Sequence, residues 1–400
     1  MSIAVEDHRV GLTSVAAITL FAVAGSVMPV IMPGVLDALA GTWGLSGRQI
    51  ALIVTTEMCG TAMGSLAVSL AASPLVRRRL GVALVSLAAL GHVWAALSQN
   101  YLPLLSSRFV AGIGEGGIVA LASAAIAGIS TPDRVFATII VTNMTLATLF
   151  FRFQGSMVAL GGKALIFATL LALTILSGAV LPRVLSFAAR TNGAVPKSGD
   201  YERPALRLAR LGSPPVVALF AFLFFSMSIG TVWPLMGRIG LSLRVGPALI
   251  ASALGRSTIV GLLAGLIATW LGLRVGRRIP LWVGSIGLIA TLGSLTYSPR
   301  PTLFPALVAS FVFWWILTLP YYLGQLASLD RIGRLAAFSI VVQSAGQTIG
   351  PAIAAWTLRQ DTYFLAILES LSYCAIALVL ASWADQANKS DQSADLARSN

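Results

Sequence analysis

Charge is what this chain has least of. Only 10% of its 400 residues are charged, and 14 of those are Asp or Glu against 27 Lys and Arg. A soluble domain carries about one charged residue in four, so a soluble globular fold is excluded. Cysteine is nearly absent: Cys59 and Cys374 each lie inside an apolar run with no CxxC or Cys/His spacing, which rules out a disulfide framework and a thiolate metal centre. The sequence contains no HExxH, no GxSxG and no GxxxxGK[ST], and no polar segment is long enough for an ATPase domain. An intramembrane enzyme and a nucleotide-driven pump therefore have no support, and neither cofactor nor metal is expected.

What the chain has in quantity is apolar length. Hydrophobic residues make up 57% of it, and the mean hydropathy is +0.87. About 20 apolar residues cross the hydrocarbon as a helix. Twelve such runs are present, at 12–38, 47–72, 80–98, 103–129, 135–157, 161–182, 214–237, 246–272, 279–297, 303–327, 335–357 and 362–383. "ITLFAVAG" offers a small-x-small site of the kind that ends a signal peptide. The leader before it carries two acids to one arginine, however, and the run continues beyond Gly25, so it reads as the first span.

An even number of spans puts both termini on one side of the membrane. Eighteen Lys and Arg fall on that side, 6 on the other and 3 within spans; the positive-inside rule then makes the termini cytoplasmic. In this setting the formal net charge of +13 is orientation and headgroup charge rather than a nucleic-acid surface. The polar stretch at 183–213, rich in Arg, Gly, Ser and Pro, reads as a linker, with six spans on either side of it. "RRR" at 77–79 is echoed by "RVGRR" at 274–278, and "TPDR" by "SLDR", at an offset of roughly 200. The expected architecture is an all-α integral membrane protein of twelve transmembrane helices. It forms two pseudo-symmetric six-helix bundles (1–182 and 214–384), followed by a cytoplasmic tail at 385–400.

Over nearly its whole length the chain resembles the major facilitator superfamily. "LLSSRFVAGIGEGGIVALASAAIAG" is similar to that family's fourth-helix motif. "TWLGLRVGRR" at 269–278 is similar to its basic loop between the second and third helices of a half, and "RRR" is a poorer copy. The aspartate that the family places ahead of the arginine is absent from both. "GQTIGPAIAA" at 346–355 resembles the glycine-proline motif of drug/proton antiporters, which those carry in the fifth helix; here it falls in the eleventh. The resemblance implies that helices 1, 4, 7 and 10 line a cavity and that 2, 5, 8 and 11 form the seam between halves. It also implies a cytoplasmic gate at Arg77, Arg78, Arg79, Arg274, Arg277 and Arg278.

The candidate site residues are the charges and aromatics within spans, because a charge at bilayer depth faces a bundle interior or a wet cavity. Arg108 and Glu115 share one face of span 4, within about 20° and separated by about 10.5 Å of helix rise, which reads as too far for easy direct pairing. Glu115, Glu57 and Asp37 are the proton-coupling candidates. Arg108, Arg152 and Arg256 are the candidates for holding an anion, with Glu57 and Arg256 at near-equivalent places in the two halves. Trp233, Trp314, Tyr321 and Tyr322 would line the body of a substrate. His92 and Glu369, on spans that the resemblance makes peripheral, read as packing residues, and Pro29, Pro33 and Pro234 mark places where helices bend.

These residues predict a proton-coupled symporter of a small organic anion with an aromatic or apolar portion. It would work as a monomer in the plasma (inner) membrane, with substrate, protons and lipid as its partners and no nucleic acid. The alternatives are a proton-driven exporter of amphipathic compounds and a non-transporting sensor or scaffold on the same fold.

Overall fold

The structure is a computed structural model, and it describes residues 12–70, 74–126, 132–191, 213–297, 300–329, 334–358 and 363–399. It is helical nearly throughout, as backbone in hydrocarbon has to be when water is not there to satisfy its N–H and C=O groups. In chain order the helices are α1 (Leu12–Trp43), α2 (Gly47–Leu70), α3 (Pro74–Leu97), α4 (Tyr101–Ile126), α5 (Pro132–Thr191) and α6 (Ser213–Val232). They continue with α7 (Met236–Ser242), α8 (Pro247–Leu271), α9 (Arg278–Thr296), α10 (Phe304–Leu329), α11 (Arg334–Thr357) and α12 (Phe364–Ser399). Among the described residues ten helices are long and apolar enough to cross a membrane.

One of those ten, Val135–Phe187, is 53 residues long. Unbroken it would span about 80 Å, more than twice the hydrocarbon thickness, so it has to turn back. The turn is at Gly162, whose φ of 57° and ψ of −146° suit glycine alone. This falls just inside the predicted sixth run. The next residue fixes the turn in place: Lys163 Nζ donates to the carbonyls of Ala95 (3.2 Å), Ala96 (2.9 Å) and Ser98. Those carbonyls end α3, where no further turn of helix can satisfy them, and a cation there also meets the negative end of the helix dipole. A lysine at the very start of the predicted sixth run is thus a helix cap.

The seventh predicted run is also two pieces. Pro234 has no N–H to give, so α6 stops at Val232, and the chain passes through turn bonds from Leu235 N to Val232 O (3.1 Å) and Met236 N to Trp233 O (3.1 Å) before α7 begins. Elsewhere helices run longer than predicted. α5 stays helical to Thr191, past the expected start of the linker at 183, and α12 stays helical to Ser399, through the expected tail.

Two compact units emerge from the packing, and their boundaries are not those of the sequence halves. The first comprises residues 1–30, 59–146 and 157–197; the second comprises 31–58, 147–156 and 198–400. Within the second unit, segments of α1, α2 and α5 pack among C-terminal helices. Thr148 Oγ1 lies 2.6 Å from Thr258 Oγ1, Gln154 donates to Gly34 O at 3.0 Å, and the Arg48 guanidinium sits 5.7 Å from the Trp356 ring.

In the first unit the glycines of "AGIGEGG" serve close packing. A Cβ on Gly116 would collide with the backbone of Thr61 on α2, and one on Gly114 with the backbone of Ala88 on α3. Small residues let helix backbones approach, which is the main source of helix adhesion where lipid is as apolar as the side chains. Gly116→Val should therefore cost about 1–3 kcal/mol or more through overpacking, read as a lower unfolding midpoint in detergent. Leu102→Ala, at a position of α4 that is 70% exposed, should change it little.

Candidate functional site

Arg108 is the largest side chain with no exposed surface. Its Nη2 lies 3.4 Å from Glu115 Oε1, its Nη1 3.4 Å from His92 Nδ1, and its Cζ 5.3 Å from the centre of the Phe167 ring. His92 Nε2 completes the triangle at 3.4 Å from the same Glu115 oxygen. Glu115 and His92 are each 1% exposed. Because arginine only donates, the two histidine contacts are complementary when the neutral ring carries its proton on Nε2 and accepts at Nδ1.

This corrects the expectation that Arg108 and Glu115 stand too far apart to pair. Side chains on a helix lean toward its N-terminus, so Glu115 reaches back as the long guanidinium reaches forward, and together they span two turns. His92, read from sequence as packing, is the third member. An isolated histidine and an Arg-x6-Glu spacing give no sequence signal that they belong together; only the packing of α3 on α4 supplies it.

In the second unit, Arg152 on α5 and Arg256 on α8 line one cavity of ≈ 570 Å³ together with Thr148, Ser156, Ser252 and Phe151. Arg256 donates to Ser252 Oγ from Nε (3.0 Å) and Nη2 (2.6 Å), and Arg152 Cζ is 5.8 Å from the Phe153 ring. No carboxylate lines this cavity, and among the described residues neither arginine has an ion pair. Glu57, a proton-coupling candidate from sequence at a place near-equivalent to Arg256, is fully buried on α2 and does not line it.

Asp37 on α1 lies against α7: Oδ2 fills the space where a Cβ on Gly237 would stand, and Oδ1 has no hydrogen-bond partner among the described residues. Arg238 follows directly, with its Nε likewise unpartnered.

The predicted aromatic lining divides. Trp233 is buried, stacked on Phe311 (6.4 Å, 4°) and tilted against half-buried Trp315 (5.7 Å, 54°). Trp314, its neighbour, faces α9, where a Cβ on Gly287 would strike the indole. Tyr321 donates to Ala268 O of α8 at 3.4 Å. Tyr322 is fully buried, stacked on Phe225 at 4.5 Å, with its hydroxyl 3.4 Å from Ser285 Oγ. Trp315, which spacing puts with Tyr322 on the next face of the same helix, is the tryptophan that meets Trp233.

Of the predicted gate arginines, Arg78, Arg79, Arg274 and Arg278 are exposed and Arg277 is half-buried against Gly324; the side chain of Arg77 lies outside the described residues. Among the described residues no group of three His, Cys, Asp or Glu is placed to hold a metal ion.

A family model described as Major Facilitator Superfamily matches residues 11–351. The chain belongs to the major facilitator superfamily. It is accordingly an integral membrane protein and a secondary transporter, of a family that binds small-molecule substrates in a membrane. No curated protein matches the chain, so the superfamily is the level at which comparison places it.

Within this transporter the Arg108 cluster is a closed charge system, and breaking a buried pair from one side costs about 3–5 kcal/mol. Arg108→Met alone should lose stability on that scale in a denaturation series. Arg108→Met combined with Glu115→Leu should lose less than the single change, because no charge is left behind.

Proposed function

We propose that this transporter carries a small organic anion together with protons, by alternating access, with both termini in the cytoplasm. The observation that carries the reading is the cavity shared by Arg152 and Arg256. Two guanidinium groups, both exposed, face this space and give it a positive potential that an anion would answer, and no protein carboxylate lines it. The planar fork of arginine matches a carboxylate through two parallel hydrogen bonds. Thr148, Ser156 and Ser252 add hydroxyls for the rest of a polar head. Phe151 and Ile259 give the same cavity an apolar wall for the rest of the substrate, and Trp233 and Trp315 are not among the residues that line it.

Of the three carboxylates considered for the proton, Asp37 suits the task best. Glu115 is held by both Arg108 and His92, and losing its charge would strand a buried guanidinium. Asp37 has an oxygen without a hydrogen-bond partner and lies beside Arg238, so taking up a proton changes the charge at the α1–α7 contact without leaving a fully buried ion alone. Glu115 then serves to hold the first unit in one arrangement. The bias of 18 cationic residues to 6 across the spans supports the orientation.

Export of amphipathic compounds is a second reading, favoured by the Trp233–Phe311–Trp315 cluster. Proteoliposomes with an internal pH dye separate the two. A panel of aliphatic and aromatic carboxylates should drive proton entry, and cationic amphiphiles should not. Arg152→Gln or Arg256→Gln should raise the KM for the carboxylate about tenfold or more, since each removes hydrogen bonds between charged groups. Asp37→Asn should abolish proton movement. Carboxylate transport with an unchanged KM in both arginine variants would sink the anion site, and cationic amphiphiles that alone dissipate an imposed gradient would establish export.

A further inference from the structure

The turn between α8 and α9 has a chemistry of its own. α8 ends at Leu271, and the chain reverses through Gly272 (φ 47°) and Gly276 (φ 70°), with turn bonds from Arg274 N to Leu271 O (3.0 Å) and Gly276 N to Leu273 O (2.9 Å). Two of its three arginines are parked on indoles: Arg274 Cζ lies 5.0 Å from the Trp270 ring centre and Arg278 Cζ 5.9 Å from that of Trp282. Both indoles keep an exposed face. Trp270 is 67% exposed and Trp282 38%, and beside them stand Leu273 at 62% and Ile279 at 59%. Leu263 and Leu266, exposed on the same face of α8 as Trp270, extend this apolar surface along the helix.

The charge here is one-sided. From residue 203 to residue 329 the sequence contains no Asp or Glu, so α8, α9 and α10 supply no acid to answer these arginines. A guanidinium stacked on a ring is held flat and keeps its outer N–H groups free for a planar anion. Tryptophan settles at headgroup level while its ring meets acyl chains, and arginine near a helix end carries its charge out to the same level. We infer that the α8–α9 turn is a binding site for an anionic phospholipid, its phosphate on Arg274 and Arg278 and its acyl chain along Trp270, Leu266 and Leu263. A free phosphate ion would use the arginines but not the apolar face, and the exposure of that face is why the lipid is the assigned ligand.

Brominated acyl chains quench nearby tryptophan, which supplies the test. The full-length protein is placed in phosphatidylcholine nanodiscs in which either some phosphatidylglycerol or some of the phosphatidylcholine is brominated. Wild type should be quenched preferentially by the phosphatidylglycerol. The preference should fall about tenfold or more in Arg274→Gln/Arg278→Gln, and it should persist in Arg244→Gln/Arg300→Gln, which removes two exposed arginines near the starts of α8 and α10. Trp270→Phe/Trp282→Phe should remove the lipid-selective part of the signal. Should the first variant fail to fold, wild type alone decides by salt: going from about 0.1 M to 1 M shortens screening from about 10 Å to 3 Å and should erase most of the preference. Equal quenching by both lipids in wild type, or a preference unchanged in Arg274→Gln/Arg278→Gln, overturns the site. Displacement of the phosphatidylglycerol by inorganic phosphate would overturn the lipid assignment in favour of a free-anion site.

Discussion

A guanidinium with no exposed surface must be answered from inside the protein, and in the first unit that demand organises everything around it. Arg108 cannot lose its proton in any ordinary setting, so its charge is permanent. Glu115 is placed to neutralise it, and His92 bridges both partners in the one tautomer that satisfies each. For these three to meet, α3 and α4 must run almost backbone to backbone. That is the arrangement Gly91 and Gly114 permit, since a Cβ on either would strike the facing helix at Ala111 or Ala88. Charge and glycine are therefore two parts of one constraint: the glycines bring the helices close, and the cluster fixes which faces meet.

The second unit distributes its polar groups differently. There the arginines lie at edges and around a cavity, answered by hydroxyls and rings: Arg256 by Ser252, Arg152 by Phe153, Arg274 by Trp270. Such partners steady a guanidinium without cancelling its charge. The first unit spends its carboxylate on internal order, whereas the second keeps positive charge available. This contrast is the physical basis for seeking anion chemistry among α5 and α8 rather than at Arg108.

Much of the fold was legible in the sequence, because spans are a one-dimensional signal. Length and hydropathy alone locate α2, α4 and α8 to α11 to within a few residues and α12 at its start only, and Pro234 announces the break between α6 and α7. The turn at Gly162 was blurred, since "RFQGSMVALGGKAL" offers several glycines and only the structure shows which adopts the left-handed backbone. The site was less legible, for a definite reason. Counting helix rise gives the distance between Cα positions, and it understates what a long side chain can reach, which is how the Arg108–Glu115 pair was missed. Periodicity can place Trp314 and Trp315 on different faces, but it does not say which face turns inward. The union of Lys163 with the end of α3 is a contact across 65 residues of chain, and local pattern carries no trace of it.

Gly237 and Asp37 share one parcel of space, with the carboxylate standing where a side chain at 237 would be. Size at one position and the placement of charge at the other are thus coupled. Alanine or serine at 237 would turn the Asp37 carboxylate aside, away from the place where it now stands against α7. The bareness of the backbone at 237 is what sets where the carboxylate at 37 rests.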